Sequence, residues 1–468
     1  MNYISGNSIV EKRLSSLAGM LQKAENVHVV THIDADGLTA GSIAVKTLQR
    51  MNKAYSIEFV KQLDHFVLDR LKKKDFELVW FTDLGSSIVE DPSIFFPYLV
   101  TDHHACDVEK QNVSYHFNPH LFGLDGSWEL SGSGGTFLLS QTINKKNRDL
   151  AALAIVGACG DLQDRKHRKL MSKNRDILEF GINAGVLKAK MDIQFFGRET
   201  RPVYKMLQFA NDPILPGISG RESAAREFLD SLDIPLKDGD QWRHWVHYSA
   251  MERKKVISQL VRLLLSKGFG YDLTSRLVGE VYELSTEPIA SELHDAKEFA
   301  TLLNSTARYG EFEVGLQVCL GDRDEYLKKA RSLLKGHRHN LVEGLQLAKE
   351  EGIIQLDYVQ YFHAGTGIRD TIVGIIANML LNDEETRNDL PLIGFAKKAQ
   401  GEIKASARAT QLLVSKGLDL SKVIREAAQS VNGIGGGHNI AAGATIPEGK
   451  EEEFLQKFEE KVKKQLSP

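Results

Sequence analysis

Tyr98-Leu99-Val100-Thr101-Asp102-His103-His104-Ala105 is the stretch on which the reading of this chain turns. Its first four residues are apolar or nearly so, the pattern of a short buried strand. The strand ends in an acid and two adjacent imidazoles, groups that bind metal or move protons. Carboxylate with imidazole is a hard-to-borderline ligand set, suited to Mn²⁺, Zn²⁺ or Mg²⁺. Adjacent histidines also occur on ordinary loops. The weight of this cluster therefore depends on acids placed the same way elsewhere.

Two such places lie upstream. Val27–Thr31 reads as a buried strand and runs into His32-Ile33-Asp34-Ala35-Asp36-Gly37, with a helix expected from about Thr39 to Met51. One helix cap needs one acid, whereas two acids at i and i+2 beside His32 point several ligands at one spot. Leu78–Thr82 is a second buried strand, and it ends at Asp83-Leu84-Gly85-Ser86. Glu58–Val60 reads as a further strand, and residues 9–25 and 64–74 as helices; the first carries Leu14, Leu17, Leu21 and Ala24 on one face. Strand, acidic loop, helix is the opening of a parallel α/β sheet. Open α/β sheets bind ligands beyond the carboxyl ends of their strands, and three such ends here carry acids and imidazoles.

Ser131-Gly132-Ser133-Gly134-Gly135-Thr136 opens an apolar helix. It lacks the spacing and lysine of a P-loop, so close helix packing is at least as good a reading as phosphate contact. The apolar run 148–158 reads as a buried helix that delivers Asp161, after Gly160, to the same cleft. The basic run Arg165, Lys166, His167, Arg168, Lys169, Lys173 and Arg175 is a solvated face or a phosphate track in equal measure.

Composition bounds the rest. The chain has 468 residues, 42% hydrophobic and 26% charged, enough for two or three packed domains. Lys and Arg total 59 against 62 Asp and Glu, a formal charge of -3. That excludes a globally basic nucleic-acid coat but not a local basic groove. Cys106, Cys159 and Cys319 are isolated and form neither a disulfide framework nor a zinc knuckle. With no signal-peptide pattern and no membrane-length apolar run, a cytoplasmic location and no membrane partner are expected.

Between about 180 and 290 the motifs thin out. Helical patterns at 223–232 and 251–267 suggest an accessory helical insert. A polar helix at roughly 323–351 reads as a linker. A strand is expected at Ile353–Phe362, followed by Gly365, Arg369 and Asp370, and a hairpin of Leu392–Lys397 and Glu402–Arg408 around Ala399-Gln400-Gly401. Lys404, Ser406 and Arg408 share one face of that hairpin. Helix 419–431 leads to the glycine run Gly433–Gly437 and His438. Consecutive glycines let backbone N–H groups approach an anion, so Gly436, Gly437 and His438 with Lys404, Ser406, Arg408 and Arg369 form a candidate phosphate surface. The expected organisation is a catalytic core at 1–180, a helical module at 181–290, the end of the first domain and linker at 291–350, and a smaller α/β domain at 351–468.

His32-Ile33-Asp34-Ala35-Asp36-Gly37, Asp83, Asp102-His103-His104 and Gly160-Asp161 occur in the order seen in the DHH phosphoesterase superfamily, which this chain resembles. Gly436-Gly437-His438 is similar to the signature of the DHH-associated domain. Within the superfamily the chain looks most like RecJ-type single-strand exonucleases, in particular archaeal RecJ-like proteins associated with the replication complex GINS. The Asn304…Arg308 segment and the helical insert support that choice. The eukaryotic replicative-helicase subunit of the superfamily has lost much of the acid set, whereas this chain keeps it, so the resemblance implies an active enzyme.

The resemblance further implies two divalent ions, Mn²⁺ first and Mg²⁺ second, bound by Asp34, Asp36, Asp83, His103 and Asp161, with His32 a ligand or its support. Asp36 or Asp83 would bridge the ions. Asp102 would orient a neighbouring imidazole, and His104 would contact or protonate the phosphate. Asp36, Asp102 and His104 are thus the implied catalytic group. The implied activity is two-metal hydrolysis of single-stranded DNA from an end, 5′→3′, with RNA as a second substrate, in replication or repair. The strand would enter between the domains, with Tyr309, Tyr361 and Phe362 as candidates for base stacking. Two alternatives stay open: a nanoRNase or cyclic-dinucleotide phosphodiesterase, and a mainly structural replisome subunit.

Overall fold

Thr31, Thr82 and Thr101 lie in one row across a parallel sheet, Thr31 paired with Thr82 and Thr82 with Thr101. The residues that follow them, His32, Asp83 and Asp102, therefore leave the sheet side by side. The computed structural model behind this description covers residues 8–381, 383, 386–398 and 401–466. The chain divides into two units, Met1–Arg331 and Ser332–Pro468.

The first unit opens with α1 (Ser8–Lys23), whose Leu14, Leu17 and Leu21 are buried as their spacing predicts. Then follow β1 (Asn26–His32), α2 (Ala35–Arg50), β2 (Ala54–Val60), α3 (His65–Leu71), β3 (Leu78–Thr82), β4 (Tyr98–Thr101) and β5 (His116–Phe117). All five strands are parallel, in the order β2-β1-β3-β4-β5. After β1 the chain goes to β2 on one side and returns to β3 on the other. The crevice between the ends of β1 and β3 is thus a topological switch point, where such sheets bind ligands.

Burial on both faces explains the unbroken apolar runs of β1 and β3. One face packs Val30, Val79 and Phe81 against Val67, Leu68 and Leu71 of α3. On the other, α2 packs against α4 (Gly132–Ile143) and α5 (Ala151–Gly160). The helix α2 starts four residues before the expected Thr39, because Asp34 caps it: its Oδ1 accepts the Gly37 N–H at 3.0 Å.

Beyond α6 (Ser172–Asn183), the strand β6 (Leu187–Ile193) pairs with a distant partner that closes a module. Within the module are α7 (Val203–Gln208), α8 (Glu222–Asp230), a hairpin of β7 (Lys237–Asp238) and β8 (Gln241–Trp242), α9 (Ala250–Ser266) and the single turn α10 (Tyr271–Thr274). Its own core gathers Met206, Leu215, Leu229, Trp245 and Leu260. The closing strand is β9 (Val278–Leu284), antiparallel to β6. At the module's root Arg198 is buried among Asp192, Glu283 and Asp295, at 3.4, 3.4 and 3.2 Å. Glu199, Glu283 and His294 are close enough to hold a cation. Arg198 and Lys190, the latter 2.6 Å from Glu283, already supply that charge. The first unit ends with α11 (Ala296–Arg308) and α12 (Phe312–Leu320), and the division between units falls within α13 (Glu325–Glu351).

The second unit has a six-stranded mixed sheet in the order β10-β11-β12-β13-β15-β14. The expected strand Ile353–Phe362 is instead two short antiparallel strands, β10 (Ile354–Gln355) and β11 (Gln360–His363). Asp357 and Tyr358 form the turn, closed by the Leu356 N–H on the Val359 carbonyl at 2.8 Å. After α14 (Val373–Leu381) come β12 (Leu392–Lys397) and β13 (Glu402–Arg408), antiparallel as expected; Ala399 and Gln400 of their turn lie outside the described residues. The helices α15 (Gln411–Ser415) and α16 (Leu420–Ser430) lead to β14 (Ile434–Gly437), β15 (Ala441–Pro447) and α17 (Glu451–Leu466). The glycine run is therefore an edge strand rather than a loop. Among the described residues no helix is long and apolar enough to cross a membrane.

Candidate metal centre

Four chain segments deliver acids and imidazoles to the end of the first sheet. His32 ends β1, and Asp34 and Asp36 begin α2. Asp83 follows β3 in a left-handed conformation, φ 59°, which few residues other than glycine adopt without cost. Asp102, His103 and His104 follow β4, and Asp161 follows α5.

Asp36 is fully buried, and both its oxygens are engaged. Oδ2 accepts the Gly132 N–H at 2.7 Å and Oδ1 the Ser133 N–H at 3.1 Å. The glycine-rich opening of α4 thus spends its free N–H groups on Asp36 rather than on a phosphate. It is also a packing device. A Cβ on Gly132 would stand 2.3 Å from Asp83 Oδ1, and one on Gly157 would stand 2.3 Å from Asp36 Oδ1.

His103 is held by its far nitrogen. Nδ1 lies 2.7 Å from the Gly126 carbonyl and donates to it, which turns Nε2 toward the acids, where it can carry a proton or ligate a metal. Nε2 faces Asp83 Oδ1 and Asp161 Oδ2, both at 3.2 Å, and Asp36 Oδ2 at 3.8 Å. On the other side, His32 Nδ1 stands 2.9 Å from Asp34 Oδ2 and 3.6 Å from Asp83 Oδ2. These short approaches lack hydrogen-bond geometry: His32 Nδ1, Asp83 Oδ1 and His103 Nε2 are all buried without a hydrogen-bond partner. Donor atoms that converge at this range without bonding one another fit a shared cation.

The electrostatics agree. Burial, then Asp83 and Asp161, push the Asp36 carboxyl well above the usual range. Burial likewise lifts Asp161 to about 7. Burial alone would raise Asp83 too, but His103 and His32 outweigh it and hold Asp83 below the usual range. Burial pulls His32 down, yet Asp34 and Asp83 carry it up to about 11. The cluster holds more negative charge than its imidazoles neutralise. Proton uptake is one remedy and a divalent cation the other.

Two ligand groups that share no residue emerge within 4.8 Å, His32, Asp34 and Asp83, and Asp36, His103 and Asp161; a third, Asp83, His103 and His104, overlaps them. Asp83 reaches into both, Oδ2 toward His32 and Oδ1 toward His103. Of the two candidate bridges, this geometry favours Asp83 over Asp36, whose oxygens are tied to α4. Oxygen and imidazole donors with no thiolate suit Mn²⁺ or Mg²⁺.

Asp102 faces away from this cluster. Its Oδ1 accepts the N–H groups of His103 and His104, at 2.7 and 3.2 Å, and His104 Nδ1 at 2.8 Å. Its Oδ2 accepts the Ser86 N–H at 2.9 Å. Asp102 is buried, but these donors keep it ionised. His104 is half exposed, and its Nε2 is left for a ligand. Three further residues went unassigned in the sequence. Gln163 Nε2 donates to the Gly126 carbonyl at 2.9 Å, supporting the same loop as His103. Asn304 Oδ1 accepts the Ala35 N–H at 3.0 Å. Arg308, partly buried, lies within electrostatic reach of Asp34. Only the Asn304…Arg308 spacing offered a signal, and it was a family one.

In the second unit Lys404, Ser406 and Arg408 share one face of β13. Ser406 pairs with Gly394 on one side and Gly443 on the other, and Gly443 pairs with Gly436. In the row Gly394-Ser406-Gly443-Gly436 only Ser406 carries a side chain, and it is buried where Phe362 and Val373 close over Gly394. A Cβ on Gly443 would meet Lys404 Nζ, and one on Gly374 of α14 would meet the Arg408 guanidinium. Gly437 (φ 139°), His438 and Arg369 are exposed. Tyr361 is partly buried, and Phe362 is fully buried in the core beneath α14, which removes it as a stacking residue.

Residues 195–278 match the DHH-CID domain and residues 357–464 the DHHA1 domain. An uncharacterized protein of Methanocaldococcus jannaschii is 31% identical over 449 residues, covering 94% of each chain. The single-stranded-DNA-specific exonuclease RecJ of Escherichia coli is 24% identical over 477 residues, 98% of this chain and 70% of that one. The chain belongs to the RecJ-like DHH superfamily. Solved members of this superfamily share its fold. Exonuclease RecJ bound to manganese aligns with TM-score 0.59 and 17% identity over 99% of this chain and 96% of that one. RecJ of Thermus thermophilus in complex with Mn²⁺ gives 0.59 and 17%, and this chain spans 55% of its length. CDC45 of Entamoeba histolytica gives 0.65 and 13%, over 97% and 98%.

Proposed function

We propose that this RecJ-like protein is a metal-dependent phosphodiesterase that trims single-stranded nucleic acid from an end, 5′→3′ on DNA and secondarily on RNA. The observation that carries the reading is Asp83, whose two oxygens reach toward two separate ligand groups. His32, Asp34, Asp36, Asp83, His103 and Asp161 would hold divalent ions, which when bound would supply Lewis-acid polarisation of the phosphate and a water acidic enough to attack it at neutral pH.

The chain's own residues do the rest. The Gly126 carbonyl orients the His103 ring, so that Nε2 is turned toward the acids and can ligate a metal. The first N–H groups of α4 hold Asp36 in place. Asp102 accepts a hydrogen bond from His104 Nδ1–H and favours the imidazolium, so Nε2–H can donate to a phosphate oxygen or protonate the leaving oxygen. Arg308 adds positive charge beside Asp34. Lys404, Ser406, Arg408 and His438 offer a separate face for a backbone phosphate.

The relatives' names support this substrate, since those of the curated relatives that are characterised are single-stranded-DNA-specific exonucleases. A mainly structural role is the second reading, and the fold likeness to CDC45 favours it. Against it stands the complete donor set. A role in replication or repair, with GINS as partner, follows from the resemblance and is tested by co-purification with GINS. The deciding experiment for activity is digestion of 5′- and 3′-labelled single strands of DNA and RNA, with and without Mn²⁺, beside a dinucleotide. Metal-dependent release of mononucleotides from long strands is expected. Cleavage of the dinucleotide alone, or of nothing, would defeat the reading.

A further inference from the structure

The basic run that follows Asp161 is not spent on the metal centre. It is joined to the insert instead. Arg165 Nη2 lies 2.9 Å from Asp212 Oδ2, and Arg276 Nη1 lies 3.3 Å from the other oxygen of the same carboxylate. On either side of this bridge stands an aromatic ring dressed with cations.

On the metal-centre side the ring is Trp128. Lys166 Nζ lies over it at 4.2 Å, and the His167 ring is 4.8 Å from it. Both Lys166 and His167 are exposed. Trp128 is held rigidly: its Nε1 donates to Asp125 Oδ2 at 2.8 Å. Its loop is tied to the centre through the Gly126 carbonyl, which His103 and Gln163 share. On the insert side the ring is Phe209, three residues before Asp212 and 51% exposed. Arg201 lies over it at 5.0 Å; Lys205, 5.8 Å from it, is paired with Glu222.

Rings at intervals, each flanked by cations, are how proteins hold a single strand without reading its sequence. Bases stack on the rings, and the cations follow the phosphates. We propose that loop 162–168 and the start of α7 form a single-strand track, running from the metal centre over Trp128 and Lys166 to Phe209 and Arg201. The inference rests on the proposed activity, since it gives the strand beyond the reacting end its path. An acidic protein segment is the rival occupant. It would use the cations but gain little from two separated ring stations.

The test is binding to a single strand of about 25 nucleotides and to a trinucleotide, by the full chain in EDTA, where nothing is cut. Phe209→Ala with Arg201→Gln should weaken the long strand about tenfold and leave the trinucleotide unchanged. Lys166→Ala should lower the slope of log affinity against log salt by about 0.7, the value of one phosphate contact on a single strand. Phe209→Tyr should restore the long-strand affinity, which a loss through misfolding would not allow. Equal losses on both ligands, no loss on either, or displacement of the strand by polyglutamate as effective as by unlabelled strand would overturn the track. Because no hydrolysis is needed, tight length-dependent binding by a chain that fails to cut would uphold the track and reject only the proposed activity.

Discussion

His104 donates its Nδ1 proton to Asp102 Oδ1 over 2.8 Å, and the same oxygen accepts the backbone N–H groups of His103 and His104. Asp102 is thereby a positioning residue: one buried carboxylate fixes both the turn after β4 and the tautomer of the exposed imidazole. Burial alone would lower the His104 pKa, but Asp102 raises it above the ordinary value. Replacing Asp102 by Asn removes that anion, so the pKa of His104 should fall. The protonated fraction then declines at lower pH, and the alkaline limb of kcat should move down the pH scale. A loss of about 10²–10³ in kcat is expected, the range of a misplaced general acid. Mn²⁺ affinity should change little. A pH profile that keeps its alkaline limb would remove His104 from the proton-transfer role.

The two adjacent histidines should separate in a metal titration. His103→Ala removes a nitrogen that faces three carboxylates, so Mn²⁺ affinity should drop by at least about 10–100-fold, the loss seen even for residues that only orient a ligand. His104→Ala should leave binding nearly intact and slow turnover. Asp83→Asn should weaken both ions in calorimetry, whereas Asp161→Asn should weaken one. If Asp83→Asn weakens a single ion, Asp83 does not bridge.

The strand ends were legible because burial on both faces of a parallel sheet writes unbroken apolar runs, and an acid directly after such a run stands out. His32, Asp83, Asp102, His103 and His104 were readable for that reason. The partners of these groups were not. Nothing near Gly126 in the sequence marks its carbonyl as the anchor of His103, and nothing near Gly132 marks its N–H as a donor to Asp36, ninety-six residues earlier. The root of the insert was equally opaque. Asp192, Arg198, Glu283 and Asp295 look like solvated charges one by one, and only folding shows that they are buried together. The glycine run Gly433–Gly437 read only as backbone open to an anion, but pairing with β15 makes Ile434–Gly437 a strand.

Gly132 offers a test of packing against the centre. A Cβ there would stand 2.3 Å from Asp83 Oδ1 and 2.8 Å from Asp83 Cα, so Asp83 or the start of α4 must move. Gly132→Ala should cost about 1–3 kcal/mol of stability, as overpacking does in tight cores. It should also weaken Mn²⁺ binding, because Asp83 carries ligand atoms. Retained metal affinity alongside a lower melting temperature would show that the helix shifts and Asp83 does not.

Glu298 gives a pH dependence that lies away from the metal centre. It is buried, its Oε1 accepts the Glu199 N–H at 2.9 Å, and its other oxygen accepts the Thr200 hydroxyl. Burial, then Asp295, carry its carboxyl up to about 7, from an ordinary 4.5. Between those two pH values the folded state holds a proton that the unfolded chain has released. Stability must therefore fall as pH rises from about 4.5 through about 7, by at most about 3 kcal/mol, and level off above that. Glu298→Gln mimics the protonated acid and can keep both hydrogen bonds, so it should melt close to the parent at pH 5 and above it at pH 8. Thermal melts of both proteins across that range check this. A variant destabilised equally at both ends would mean that Glu298 is ionised in the folded state.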